Sequence, residues 1–104
     1  MITYYITGNT FDLKEEIKLL KPKRKDFKNW WIYNYDFKCW KLEVSNNINS
    51  IKFEKELKEF SNKNNLKLEV CKLTKTLTKS MKDFETAEEF FQYFHQHNQK
   101  KRFY

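Results

Sequence analysis

One glycine and one proline among 104 residues leave no room for glycine-rich phosphate loops, collagen-like repeats or flexible linkers. Cysteine is scarce too. Cys39 and Cys71 lie far apart without a Cys-x-x-Cys spacing, which excludes a disulfide-rich framework. A structural zinc site asks for four ligands. Only His95 and His97 are left to complete such a set, and two residues apart on one helix they point about 200° away from each other. Both cysteines therefore read as reduced packing residues, which fits an intracellular, cytoplasmic location. No apolar run approaches the ~18 residues of a membrane span. The opening MITYYITGNT has no basic stretch leading into an apolar one, so no secretory signal is expected.

What is abundant is ring area and lysine. Aromatics supply 18% of the residues, with 10 Phe, 6 Tyr and 3 Trp. That is too much for a chain unable to build a core, although 34% charge and a mean hydropathy of −0.93 pull the other way. The net charge of +7 is almost all lysine, 19 Lys against 2 Arg. Lysine holds phosphate as a mobile point charge, which suits sequence-tolerant tracking of a backbone. A/T-rich coding produces the same residue usage, so the charge bears on partners and solubility rather than on fold. The length is that of one domain, 1–104.

Periodicity divides this domain into a core over 1–73 and an extension over 74–104. Ile2, Tyr4 and Ile6 alternate with Thr3, Tyr5 and Thr7, a strand pattern that Gly8-Asn9 breaks. Asp12 reads as a helix N-cap, and Leu13, Ile17 and Leu20 as one face of the helix, which Pro22 ends. A basic loop, KPKRKDFK over 21–28, follows. Trp30 to Tyr33 and Phe37 to Val44 read as a hairpin joined by Asn34-Tyr35-Asp36. The spacing then predicts a helix over 51–63, with Phe53, Leu57 and Phe60 as its apolar stripe and Lys/Glu pairs on its wet side. Leu66, Leu68 and Val70 mark a fourth strand. The order is β-α-β-β-α-β, an α+β, ferredoxin-like antiparallel sheet with two helices on one face and its first and third strands central. In the extension, Leu77, Met81 and Phe84 are helically spaced. Thr86 to Glu89 is a capping-box match opening an extra C-terminal helix at about 86–98.

Catalysis finds little support. The carboxylates fall into helical ion pairs, the serines into loops and caps, and the two histidines near a fraying end. The expectation is a non-enzyme without cofactor or metal. The sheet face opposite the two helices is the sharper candidate. Strand parity places Tyr5, Trp31, Tyr33, Phe37 and Lys41 there, flat rings beside a cation. Lys23, Arg24, Lys25 and Lys28 of the basic loop stand at its edge. Rings that stack bases beside lysines that neutralise phosphates are a common way to hold single strands. The alternative is that the tail helix, with Phe90, Phe91 and Phe94, folds over that face and makes those rings a second core layer.

The stretch from Tyr4 to Ile32 carries two resemblances. TYYITGNT resembles the first signature strand of RNA-recognition-motif domains, and the element order agrees. The third strand, FKCWKLEV, departs from that family by lacking its glycine-aromatic run. Gly8, Asn9, Thr10, Phe11, Lys14, Ile17, Lys18 and Trp31 also resemble a short module of phage, plasmid and large-virus proteins. The glycine and Trp-Asp usual after that module's helix are replaced by Lys21, Pro22, Lys23 and Arg24. The ring-and-lysine face, with the first resemblance beside it, leads to the expectation of a nucleic-acid-binding module for RNA or single-stranded DNA. The alternative, which suits a compact, basic single domain and the viral or mobile-element origin that the second resemblance implies, is a virus- or phage-encoded, anti-CRISPR-like inhibitor that binds a nucleic-acid-binding host protein.

Overall fold

The computed structural model describes residues 2–22, 27–45, 51–72 and 79–98, with the backbone alone at the last two. It is α+β. The first strand, β1 (Ile2–Thr7), leads through a 3-10 turn at Phe11–Leu13 into the short helix α1 (Lys14–Leu19). A hairpin of β2 (Ile32–Asn34) and β3 (Cys39–Val44) follows, then α2 (Ile51–Lys63) and β4 (Lys67–Lys72). A second 3-10 turn at Met81–Asp83 precedes α3 (Ala87–Asn98). The four strands form one sheet in the order β2-β3-β1-β4, antiparallel at every pairing. The first and third strands occupy its centre.

Alternation on β1 decides the two layers. Ile2, Tyr4 and Ile6 face one side, where Trp40, Leu42 and Val44 of β3 join them. Ile17 of α1 and Phe53 and Leu57 of α2 close this layer. Tyr4 meets Phe53 edge-on at 5.4 Å, and its hydroxyl donates to Glu54 Oε1 at 3.0 Å. Glu54, a surface ion-pair member by helical spacing alone, therefore turns inward, with Lys72 Nζ 3.4 Å away.

The other side of the sheet is not open. Phe90, Phe91 and Phe94 of α3 lie over Tyr5, Cys39 and Cys71 and form a second buried cluster. Tyr5 is 7% exposed, with Phe91 at 5.1 Å and Phe90 at 6.1 Å. The helix begins where the capping box places it: the Glu89 amide donates to Thr86 Oγ1 at 3.2 Å, and the Thr86 hydroxyl reaches Glu89 Oε1. Polar contacts then fasten α3 to β4. Lys67 Nζ lies 2.8 Å from Glu88 Oε2, and His95 Nε2 2.9 Å from Glu69 Oε2. The domain is three layers deep, with helices on both faces of the sheet.

Two local expectations are corrected. Asp12 does not cap α1. It sits inside the 3-10 turn, closed by the Leu13 amide donating to the Thr10 carbonyl at 3.0 Å, and α1 starts at Lys14 without a side-chain cap. Helical spacing of Met81 and Phe84 gives only a 3-10 turn, anchored by the Ser80 amide donating to Asp83 Oδ2 at 2.9 Å. Leu77 lies outside the described residues. Among the described residues, no helix is long and apolar enough to cross a membrane.

Candidate functional site

The hairpin turn determines which rings are available. Joining the two runs by Asn34-Tyr35-Asp36 pairs Tyr33 with Phe37, on the face opposite the two helices. The structure has a four-residue turn, Tyr35 to Lys38, closed by Lys38 at φ 53° and by the Phe37 amide donating to Asn34 Oδ1 at 3.1 Å. Tyr33 therefore pairs with Trp40, and Asn34 with Cys39. One residue of register exchanges the faces of a strand, so Trp31 and Tyr33 belong to the α1/α2 side.

The expected platform loses its rings: Trp31 and Tyr33 move to the other face, and Tyr5 stays on the far face but is covered. Tyr5 is on the far face, sealed by α3. Trp31 is 4% exposed in the first core, and its indole N–H donates to the Leu20 carbonyl at 2.6 Å. Phe37 is half-buried against the α3 cluster. Lys41 is half-buried on the far face, at the edge of a shallow hollow beside Tyr5 and Phe90. Lys28 is exposed next to Trp30 and Ile32. Lys23, Arg24 and Lys25 lie outside the described residues.

The register that removes this platform builds another. A cleft of about 700 Å³ opens between the 8–11 segment with α1 on one side and the hairpin on the other. Gly8 starts the first wall. Its φ of +122° is unfavourable for L side chains, and a Cβ there would stand 3.0 Å from Leu66 Cδ2. This turn carries Thr10 inward, where its Oγ1 accepts from the Trp40 indole N–H at 3.0 Å. The bond is buried and joins both walls at the floor. Above it, Tyr33 stands edge-on to Trp40 at 5.1 Å and to Tyr35 at 4.9 Å, so three rings make one continuous wall. Tyr35 at the turn is 83% exposed, and Phe11 on the opposite segment 72%.

Cations line the rim. Lys14 and Lys18 are four residues apart on α1 and so share one face. Lys14 Nζ stands 4.4 Å from the centre of the Phe11 ring, and Lys18 Nζ 3.6 Å from Glu15 Oε1. Of the eight residues that carry the resemblance to the phage, plasmid and large-virus module, all but Ile17 line this cleft. Sequence reasoning singled those residues out but attached binding to the far face. Tyr35 entered only as a turn residue. The missed signal was the clustering of Thr, Phe and two lysines directly after the first strand, at the mouth of a hairpin rich in rings.

The buried thiols have a packing role. Burial pushes the Cys39 thiol up to about 11 and the Cys71 thiol up to about 12. They pair with opposite ends of β1, Cys39 beside Thr7 and Cys71 beside Thr3. Four residues of strand separate those positions by roughly 13 Å, well beyond disulfide reach. Desolvation also raises the Tyr5 phenol between them. Among the described residues, no group of three His, Cys, Asp or Glu side chains converges as a metal site would require. No protein-family model, curated protein or solved structure matches the chain.

Proposed function

We propose that the protein is a non-enzymatic nucleic-acid-binding module that holds single-stranded RNA or DNA in the cleft between the 8–11 segment, α1 and the β2–β3 hairpin. The observation that carries this reading is the pairing of a ring wall, running from exposed Tyr35 through half-buried Tyr33 to buried Trp40, with two lysines across the opening. Bases stack on rings whatever their identity, and lysines neutralise the phosphates between them. Nothing in the cleft offers the paired carboxylates or base-activated nucleophile that hydrolysis needs. The sheet order, antiparallel throughout with both early helices on one face, supports reading the scaffold as ferredoxin-like with α3 added on the other face.

A titration tests the reading. A labelled oligonucleotide of thymidine or uridine should bind at low salt. The Lys14→Ala/Lys18→Ala double variant should weaken every sequence about equally, since phosphate contacts carry no base information. Both lysines are exposed, so the fold should persist. If no strand binds at low salt, the proposal is wrong.

A further inference from the structure

The cleft is deeper in chemistry than a track for a polyanion. A backbone track needs a row of cations and shallow relief. Here the cations are confined to one rim. The remaining boundary is mostly aromatic, with Gly8 and Asn9 beside the rings, and the floor is a buried hydrogen bond between Thr10 and Trp40. A volume of about 700 Å³ sits inside the roughly 300–1,000 Å³ typical of small-molecule sites. Building on the strand-binding reading, we infer that this cleft is a single-nucleotide site: it takes one nucleoside 5′-monophosphate unit, base on Tyr35 and Phe11, phosphate on Lys14 and Lys18.

Three observations carry the assignment. First, of the described rings the two with most free surface, at 72% and 83% exposure, come from opposite sides of the opening, from the 8–11 segment and from the hairpin turn. A base entering the cleft meets a ring on each side of the opening, whereas a single platform offers one. Second, the wall behind Tyr35 is braced. Tyr33 touches both Tyr35 and Trp40 edge-on, and Trp40 is tied to Thr10, so little ordering is left for the ligand to impose. Third, Lys14 and Lys18 lie one helical turn apart, a spacing that suits two ammonium groups on one phosphate. Both ammonium groups already have exposed partners, Lys18 the Glu15 carboxylate at 3.6 Å and Lys14 the Phe11 ring at 4.4 Å, and a bound phosphate would compete with these for them.

The same unit occurs as a free mononucleotide and as the 5′-phosphorylated end of a strand. Competition separates the sources and tests the site. Thymidine 5′-monophosphate should displace a labelled thymidine oligonucleotide, and thymidine without its phosphate should need at least about tenfold more. Tyr35→Ala and Phe11→Ala should each weaken the mononucleotide about tenfold. Both side chains are exposed, so an unchanged melting temperature should show that the fold survives. A 5′-phosphorylated oligonucleotide binding more tightly than its 5′-hydroxyl twin assigns the site to strand ends. Equal binding of the two assigns it to the free mononucleotide. If the oligonucleotide binds but saturating mononucleotide leaves it in place, the single-nucleotide site is wrong and strand binding stands. If neither binds, both readings fall.

Discussion

The Thr10–Trp40 hydrogen bond is the residue-scale contact on which the cleft rests. It is buried at both ends, and it crosses from the segment after β1 to the start of β3. Thr10→Val keeps the shape and removes the acceptor, which strands the indole N–H in the core. The expected loss is about 1–3 kcal/mol, read from urea unfolding, and Thr10→Ser should recover most of it. Gly8 makes the contact geometrically accessible, because its positive φ turns the chain toward the core in a space Leu66 already fills. A strand pattern ending at Gly8-Asn9 is plain in the sequence. That the next residue's hydroxyl would meet a tryptophan 30 positions later is not, since no local pattern encodes the partner.

At the element scale, α3 matters most. Its three phenylalanines make the face opposite α1 and α2 a second buried layer, with Tyr5, Cys39 and Cys71 inside it. Those buried groups set a pH limit. A thiol whose folded value is raised loses its proton first in the unfolded chain. Stability is therefore fully present below about pH 9, the ordinary thiol value, and is lost as pH rises toward 11 and 12. Urea midpoints should fall from pH 8 to 10, and the Cys39→Val/Cys71→Val variant should flatten that fall. At pH 8 an aromatic disulfide reagent should leave the folded thiols untouched and label them on unfolding. Element boundaries show how far periodicity reaches. The helix over 51–63 is legible to the residue, because a 13-residue amphipathic stripe repeats its signal at every turn. The hairpin is not, because β2 holds only three residues and its turn is one residue longer than its sequence suggests. So short a strand cannot fix its own register.

For the whole molecule, the +7 charge is a long-range property that the proposed strand binding would draw on. Strand binding should weaken steeply with salt. The slope of log K against log salt should be about −0.7 for each phosphate neutralised, and the Lys14→Ala/Lys18→Ala variant should make it shallower by roughly one to one and a half. A slope unchanged by that variant would place the charge contacts elsewhere on the surface. Aromatic area is distributed by the same economy. Most of the described rings are consumed in two cores; of the exposed ones, Phe11 and Tyr35 border the cationic rim, while Trp30 stands beside Lys28.

The sequence by itself determined the element order, the α2 boundaries, the apolar face of β1 and the presence of a C-terminal helix, all of which follow from spacing within a few residues. The tertiary structure alone decided that α3 covers the far face, that Trp31 and Tyr33 lie on the α1 side, and that Thr10, Phe11, Lys14 and Lys18 share a cleft with Tyr35. Each of these depends on contacts between segments distant in the chain. There, burial of apolar area and the register of one short hairpin choose among arrangements that local periodicity leaves equal.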